Sequence, residues 1–150
     1  FNPVYINDIS GGQDDQLLEV VASSRVEIIL MHSRLIAPHQ FGDDPEGDIV
    51  EIVYKSLSKR IEKALKFGIK ESQIVLDTGA GAFLSSKPED SYHLFSRFSE
   101  IQSRFNFPFM VAVSRKGFLR TPSMTLEEID RKSADFISDL KVKYFRVHSV

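Results

Sequence analysis

The chain has 150 residues, 42% hydrophobic and 27% charged, with a formal net charge of −2. That size and balance suit one globular domain with a sizeable core. They exclude a broad basic field recruiting nucleic acid or anionic membrane. There are no cysteines, so a disulfide scaffold, a Cys-ligated metal site and a Cys nucleophile are excluded as well. No transmembrane-length apolar run and no signal peptide stand out, which makes the cytoplasm the expected location. The sequence begins at Phe1 and stops two residues after His148, so a piece of a longer protein is expected.

Five short apolar runs end abruptly in polar residues. Val4-Tyr5-Ile6 runs into Asn7-Asp8. Between it and the next run, 14–24 carries Leu17, Leu18, Val21 and Ala22 on one side and reads as a short helix. Ile28-Ile29-Leu30-Met31 then runs into His32. The stretch 33–45, rich in Pro, Gly and Asp, reads as a surface loop above the strand ends. A long helix is predicted over 46–67, from Ile49, Ile52, Val53, Leu57, Ile61, Ala64 and Leu65 at helical spacing, with Gly68 as its stop. Ile74-Val75-Leu76 runs into Asp77. A helix over 88–105 opens on Pro88-Glu89-Asp90. Phe109 to Val113 runs into Ser114-Arg115-Lys116. Thr125 to Glu128 reads as a capping box, opening a helix through Ile129, Phe136, Ile137 and Leu140. Tyr144 to Val147 runs into His148. Strand and helix thus alternate four times and close on a strand, the pattern of a parallel α/β sheet with right-handed crossovers. The strands lack polar alternation, as expected when both faces are covered.

Chemistry delivered to one end of successive parallel strands can build one site from distant sequence. Asn7 offers an amide donor and acceptor to a heterocycle edge, or is a turn residue ahead of Gly11 and Gly12. Asp77, leading into Thr78-Gly79-Ala80-Gly81, can accept two parallel N–H bonds from a guanidine-like edge, or serve as an Asx turn or cap. Ser114-Arg115-Lys116 places two cations at a strand end. Alternation puts Arg146 and His148 on one face, a pair suited to an anionic oxygen cluster such as a phosphate, unless they form a salt-bridged rim. His32 reads as a packed rim histidine. His39 and His93 read as solvent-facing, and no histidine has metal-ligand spacing, so no metal-ligating residue is assigned. Asp43, Asp44, Glu46 and Asp48 gather near a helix start, where the dipole favours them.

Taken in order, these segments resemble dihydropteroate synthase nearly end to end: Ile6-Asn7-Asp8-Ile9-Ser10-Gly11-Gly12, Leu30-Met31-His32, Leu76-Asp77-Thr78-Gly79-Ala80-Gly81, Val113-Ser114-Arg115-Lys116 and Arg146-Val147-His148. The 49–67 helix with its Arg60 and the closing Gly68-Ile69 belong to the likeness. The resemblance implies a TIM-type (β/α)8 barrel, here about five parallel strands corresponding to the fourth to eighth, with residues 1–150 as a single domain. It implies condensation of 6-hydroxymethyl-dihydropterin pyrophosphate with para-aminobenzoate to dihydropteroate, with release of pyrophosphate, in an enzyme that is a sulfonamide target. By motif, Asn7, Asp77 and Lys116 would hold the pterin, and Met31 would pack near its plane. Arg146 and His148 would bind the pyrophosphate. Lys116, Arg146 and His148 would be the catalytic groups. Ser114 and Arg115 would shape the para-aminobenzoate side. Mg2+ is implied by the family, although the Asn associated with it falls in the missing early strands. The partners implied are these two small molecules and a second copy, paired through the late helices; neither nucleic acid nor membrane is expected.

The sequence departs from the family at several points. Thr78 replaces a usual Pro, and Ala82-Phe83-Leu84 follows the glycines. Gly117 stands where Ser or a basic residue is common, and Ser149 where Asp is usual. A five-stranded piece cannot close a barrel, so completion by more of the same protein or by another chain is expected. Two other readings are a pterin-binding methyltransferase domain and a non-catalytic pterin-binding fragment. Against the methyltransferase stand Ser114-Arg115-Lys116 and Arg146-Val147-His148, because methyl transfer releases no pyrophosphate.

Overall fold

The computed structural model describes residues 4–37 and 40–148. His39 and Ser149 lie outside the described residues. In chain order the elements are β1 (Tyr5–Asp8), α1 (Asp15–Ala22), β2 (Glu27–Met31), β3 (Leu35–Ala37), β4 (Gln40–Phe41), α2 (Ile49–Lys66), β5 (Ile74–Asp77), α3 (Pro88–Ser96), α4 (Phe98–Ser103), β6 (Phe109–Val111), α5 (Leu126–Ile137) and β7 (Tyr144–Phe145). Five strands form one parallel sheet in the order β1-β2-β5-β6-β7, the sequence order of the main strands.

Side-chain alternation splits that sheet into two faces. Ile28, Leu30, Ile74, Leu76, Phe109, Val111 and Val113 point outward into a large core shared with the helices. Val53, Leu57, Ile61 and Ala64 bring α2 onto it, and Leu94, Phe95, Phe98 and Ile101 bring α3 and α4. The opposite face carries a separate, smaller cluster of Ile29, Val75, Met110 and Ala112, against which Tyr5 and Tyr144 pack. The two tyrosines come from the first and last strands of the sheet, yet their hydroxyls lie 2.8 Å apart and their rings meet edge-on at 5.4 Å. The sheet is therefore curled, with this face concave, as parallel strands with a common twist require.

Local sequence sets the helix ends. Asp14 and Asp48 accept the first free N–H groups of α1 and α2, and Thr125 and Glu128 form a reciprocal capping box at α5. Asp48, not Glu46, starts the long helix, because its carboxylate reaches Val50 and Glu51 N–H.

Three expectations are corrected. The predicted 88–105 helix is two helices, broken at Arg97 (φ −112°, ψ 20°). There the guanidinium reaches both Asp48 and Glu100, while Phe95 and Phe98 stay buried and stack at 5.7 Å. The 33–45 loop contains the antiparallel β3–β4 pair. Arg34 fastens that pair, donating Nε to Ala82 O at 2.8 Å, pairing with Asp44 at 3.4 Å and lying over Phe41. β7 is shorter than the apolar run suggests: it ends at Phe145, and Arg146 and His148 lie exposed beyond it.

Candidate active site

The concave face changes character toward the C-terminal ends of the strands. Strand register brings Met31 beside Asp77, Asp77 beside Met110, and Met110 beside Tyr144. Asn7, in register with Ile29, occupies the same face of β1 two residues beyond Tyr5 and is exposed. Past the strand ends come Lys116, half-buried, and then Arg146 and His148.

Asp77 is the centre of this rim. It is 3% exposed. Its Oδ1 accepts from Gly79 N at 2.8 Å, and its Oδ2 has no partner. Burial pushes the carboxyl up to about 6, against the opposing pull of the Gly79 N–H and the Arg146 and Lys116 cations. A buried carboxylate oxygen without a donor is costly, so the site presents an acceptor to an incoming N–H edge. The turn beside it admits only glycine at 79: φ is +68°, and a Cβ there would come within 2.5 Å of the His32 carbonyl oxygen.

The cations are arranged around that acceptor. Burial and the Arg146 charge lower the Lys116 ammonium from its ordinary value, while Asp77 raises it. Lys116 Nζ also lies 4.7 Å from the Phe83 ring centroid, within reach of a cation–π contact. A pocket of about 360 Å3 opens here, lined by Gly81, Phe83, Pro88, Arg115, Lys116 and Phe118 among others. Arg146 is anchored by its backbone N–H to Val111 O at 2.9 Å. Ser114 faces His148: its Oγ accepts the His148 backbone N–H at 3.3 Å and lies 3.1 Å from Nδ1. Arg115 turns to α5, donating to both carboxylate oxygens of Asp130 at 2.8 and 2.7 Å.

The predicted residues thus divide. Asn7, Met31, Asp77, Lys116, Arg146 and His148 sit along one rim. Ser114 holds His148, and the Arg115 guanidinium is bound to a helix. His32 is packed as expected, 6% exposed, and neither ring nitrogen has a partner. Burial, then the nearby Arg60 charge, holds its imidazole down at about 4. His93 is exposed as expected. Asp44 and Asp48 serve the Ser86 turn and the α2 cap.

Sequence reasoning assigned no role to the groups that shape the loops. Asp8 accepts from Ser10 N, Ser10 Oγ and Gly12 N, folding the turn after β1; an Asp before Ser-Gly-Gly is an Asx-turn signal. Arg60, within the otherwise apolar stripe of α2, donates to Ser10 O at 2.7 Å, to Gly11 O, and to Ser33 O at 3.0 Å. One guanidinium therefore ties the loop after β1 to the loop after β2. Met110 was legible only as core, since nothing local shows that its register faces Asp77.

Comparison with known proteins fits this geometry. A family model described as "Pterin binding enzyme" matches residues 2–142. Dihydropteroate synthase type-2 of Escherichia coli is 37% identical over 116 residues, 77% of this chain and 43% of that protein. Dihydropteroate synthase type-1 of Pseudomonas aeruginosa is 35% identical over 118 residues, 77% of this chain and 42% of that protein. The chain spans less than half the length of these relatives. Dihydropteroate synthase from Thermus thermophilus, solved in complex with 4-aminobenzoate, matches at TM-score 0.81 and 25% identity over 97% of this chain and 60% of that one. The same enzyme in complex with 6HMPPP matches at TM-score 0.79, over 97% and 58%. The curled sheet is thus five strands of a TIM-type barrel. By the match over residues 2–142 and the rim around Asp77, this chain belongs to the pterin binding enzyme family.

Proposed function

We propose that this chain is the later portion of a dihydropteroate synthase barrel, condensing 6-hydroxymethyl-dihydropterin pyrophosphate with para-aminobenzoate. The observation that carries the reading is Asp77: a buried carboxylate with one oxygen unpartnered, flanked by the charges of Lys116 and Arg146. Asp77 takes the 2-amino and ring N–H edge of the pterin, in the bidentate geometry a carboxylate favours. Lys116 takes the ring carbonyl and nitrogen, Asn7 a further edge, and Met31 packs on the ring.

In the reaction the methylene C–O bond breaks and its electron pair leaves with pyrophosphate. The cation left behind is delocalised over the pterin. Arg146 and His148, beyond the end of β7, stabilise charge gathering on the leaving oxygens. The amine of para-aminobenzoate, placed in the pocket beside Lys116 and Phe83, forms the C–N bond and releases a proton. No protein nucleophile is needed. For the Mg2+ implied by the resemblance, no group of three or more His, Cys, Asp or Glu side chains converges among the described residues. Mg2+ is commonly held by one or two protein ligands together with waters and substrate phosphates, and no step above depends on it.

A cytoplasmic setting, inhibition by sulfonamides and pairing of two copies through α3, α4 and α5 go with this reading and rest on the same likeness. Among the described residues no helix is long and apolar enough to cross a membrane. The test is turnover by the natural protein, followed as pyrophosphate and dihydropteroate formed together from the two substrates. Arg146→Ala is expected to lower it by at least a hundredfold, the loss of an oxyanion-stabilising cation. Turnover that survives Arg146→Ala would overturn the synthase reading.

A further inference from the structure

Among the described residues, Arg115 is the non-glycine residue with a left-handed backbone, φ +57°. That region is disfavoured for any residue with a Cβ and persists only where its surroundings hold it. The holding groups are on α5. Asp130 takes both Nε and Nη2 of the guanidinium, at 2.8 and 2.7 Å. Ser133 Oγ accepts the Arg115 backbone N–H at 3.3 Å, while donating its own proton to Ile129 O at 2.7 Å. Ser133 is 3% exposed, so this hydroxyl is fixed by packing as well. The pair raises the Arg115 guanidinium above its ordinary value, through the hydrogen bonds to Asp130 first.

What the strained residue separates is the point. Ser114, before it, holds His148, and Lys116, after it, stands at the Asp77 rim with its N–H on Val113 O at 3.0 Å. The direction in which the chain leaves Arg115 decides where the Lys116 side chain goes. We propose that the Arg115–Asp130 pair is a positioning clamp: α5, which gives no residue to the rim described above, sets the aim of Lys116 by holding the left-handed turn from outside. Arg115 lines the pocket, but its Nε and Nη2 are taken by Asp130. Asp130 is then a positioning residue 14 places along the chain from Lys116, with no ligand contact of its own.

The inference rests on the synthase reading only for the choice of ligand. In the natural protein, binding of 6-hydroxymethylpterin pyrophosphate is titrated calorimetrically for wild type, Asp130→Asn, Arg115→Lys and the double variant, alongside thermal melts and hydrogen exchange at the Lys116 amide. Asp130→Asn keeps the shape of the side chain and loses the charge. It is expected to weaken binding about tenfold and to speed Lys116 amide exchange, with a melt close to wild type. The double variant should bind no worse than the poorer single one, and Asp130→Glu should recover part of the loss. The proposal is overturned if Asp130→Asn binds as wild type does, or if the two single losses multiply. It is overturned too if Arg115→Lys weakens binding while Asp130→Asn does not, since that is the signature of a ligand contact. A wild-type protein that does not bind the pterin at all would sink the synthase reading instead. In that case the exchange rate still decides the clamp: faster in Asp130→Asn supports it, and an unchanged rate overturns it.

Discussion

The two faces of the sheet follow opposite rules. On the convex face the central strands present aliphatic or aromatic side chains, and helices cover them: Ile28, Leu30, Ile74, Leu76 and Phe109 are all at most 1% exposed. On the concave face an apolar cluster of four residues and two tyrosines gives way to Met31 and Asp77, whose Oδ2 has no donor. The convex face is where burial stabilises the fold. The concave face holds a buried acceptor that an incoming N–H edge would satisfy. Stability and recognition are thus separated by a single strand's thickness, using odd and even residues of the same segments.

The comparison can be broken first from the stable side. Phe109→Ala removes a ring that meets Phe98 and Phe105. It is expected to cost about 3–5 kcal/mol, read as a shift in the urea midpoint. A loss below about 1 kcal/mol would show that the convex core does not carry the fold.

Next comes the opposite sign. The Asp77 carboxyl is raised to about 6 from 3.8. A carboxyl raised on folding adds stability while protonated: the contribution is full below about pH 4 and is lost as pH climbs through 6. Above that pH, Asp77→Asn is therefore expected to stabilise the ligand-free protein, by on the order of 3 kcal/mol, while abolishing pterin binding. Wild-type affinity for the pterin should strengthen as pH rises toward 6 and level off above it, because the carboxylate is the acceptor. Calorimetry from pH 5 to 8 and paired melts check both. An Asp77→Asn protein that is destabilised at pH 8 would contradict the assignment of strain to this oxygen.

The smallest effect concerns the tyrosine pair. Tyr5→Phe removes the 2.8 Å hydroxyl contact with Tyr144 and is expected to cost about 0.5–1 kcal/mol. In wild type the Tyr5 phenol titrates above its ordinary range, chiefly through that bond and then through burial. Its absorbance titration should shift down in Tyr144→Phe.

Much of this architecture is legible in the residues. Five apolar runs ending in Asn7, His32, Asp77, Ser114 and His148 give the strand order and the end that carries chemistry, because parallel strands buried on both faces leave no other polar exits. Thr125 is visible as a cap because Glu128 stands three residues on, the spacing of a capping box. The break at Arg97 is not visible, since no Gly or Pro marks it; it depends on Asp48, 49 residues earlier, being within reach. Arg60 and Asp130 are hidden likewise. Their partners are backbone carbonyls or a side chain brought close by the fold, and no spacing encodes either. The β3–β4 pair is missed because Arg34, not hydrophobic alternation, holds it in place.

The Tyr5–Tyr144 contact spans 139 positions, so its ends meet only after every strand between them has taken its place. Closing so long a loop costs entropy that no local contact repays. The two hydroxyls therefore find each other late in folding, and the pair is a built-in reporter of completion. In a Tyr54→Phe, Tyr92→Phe background, tyrosine fluorescence at this pair should lag behind the helical signal, and the delay between them measures how long the sheet stays uncurled.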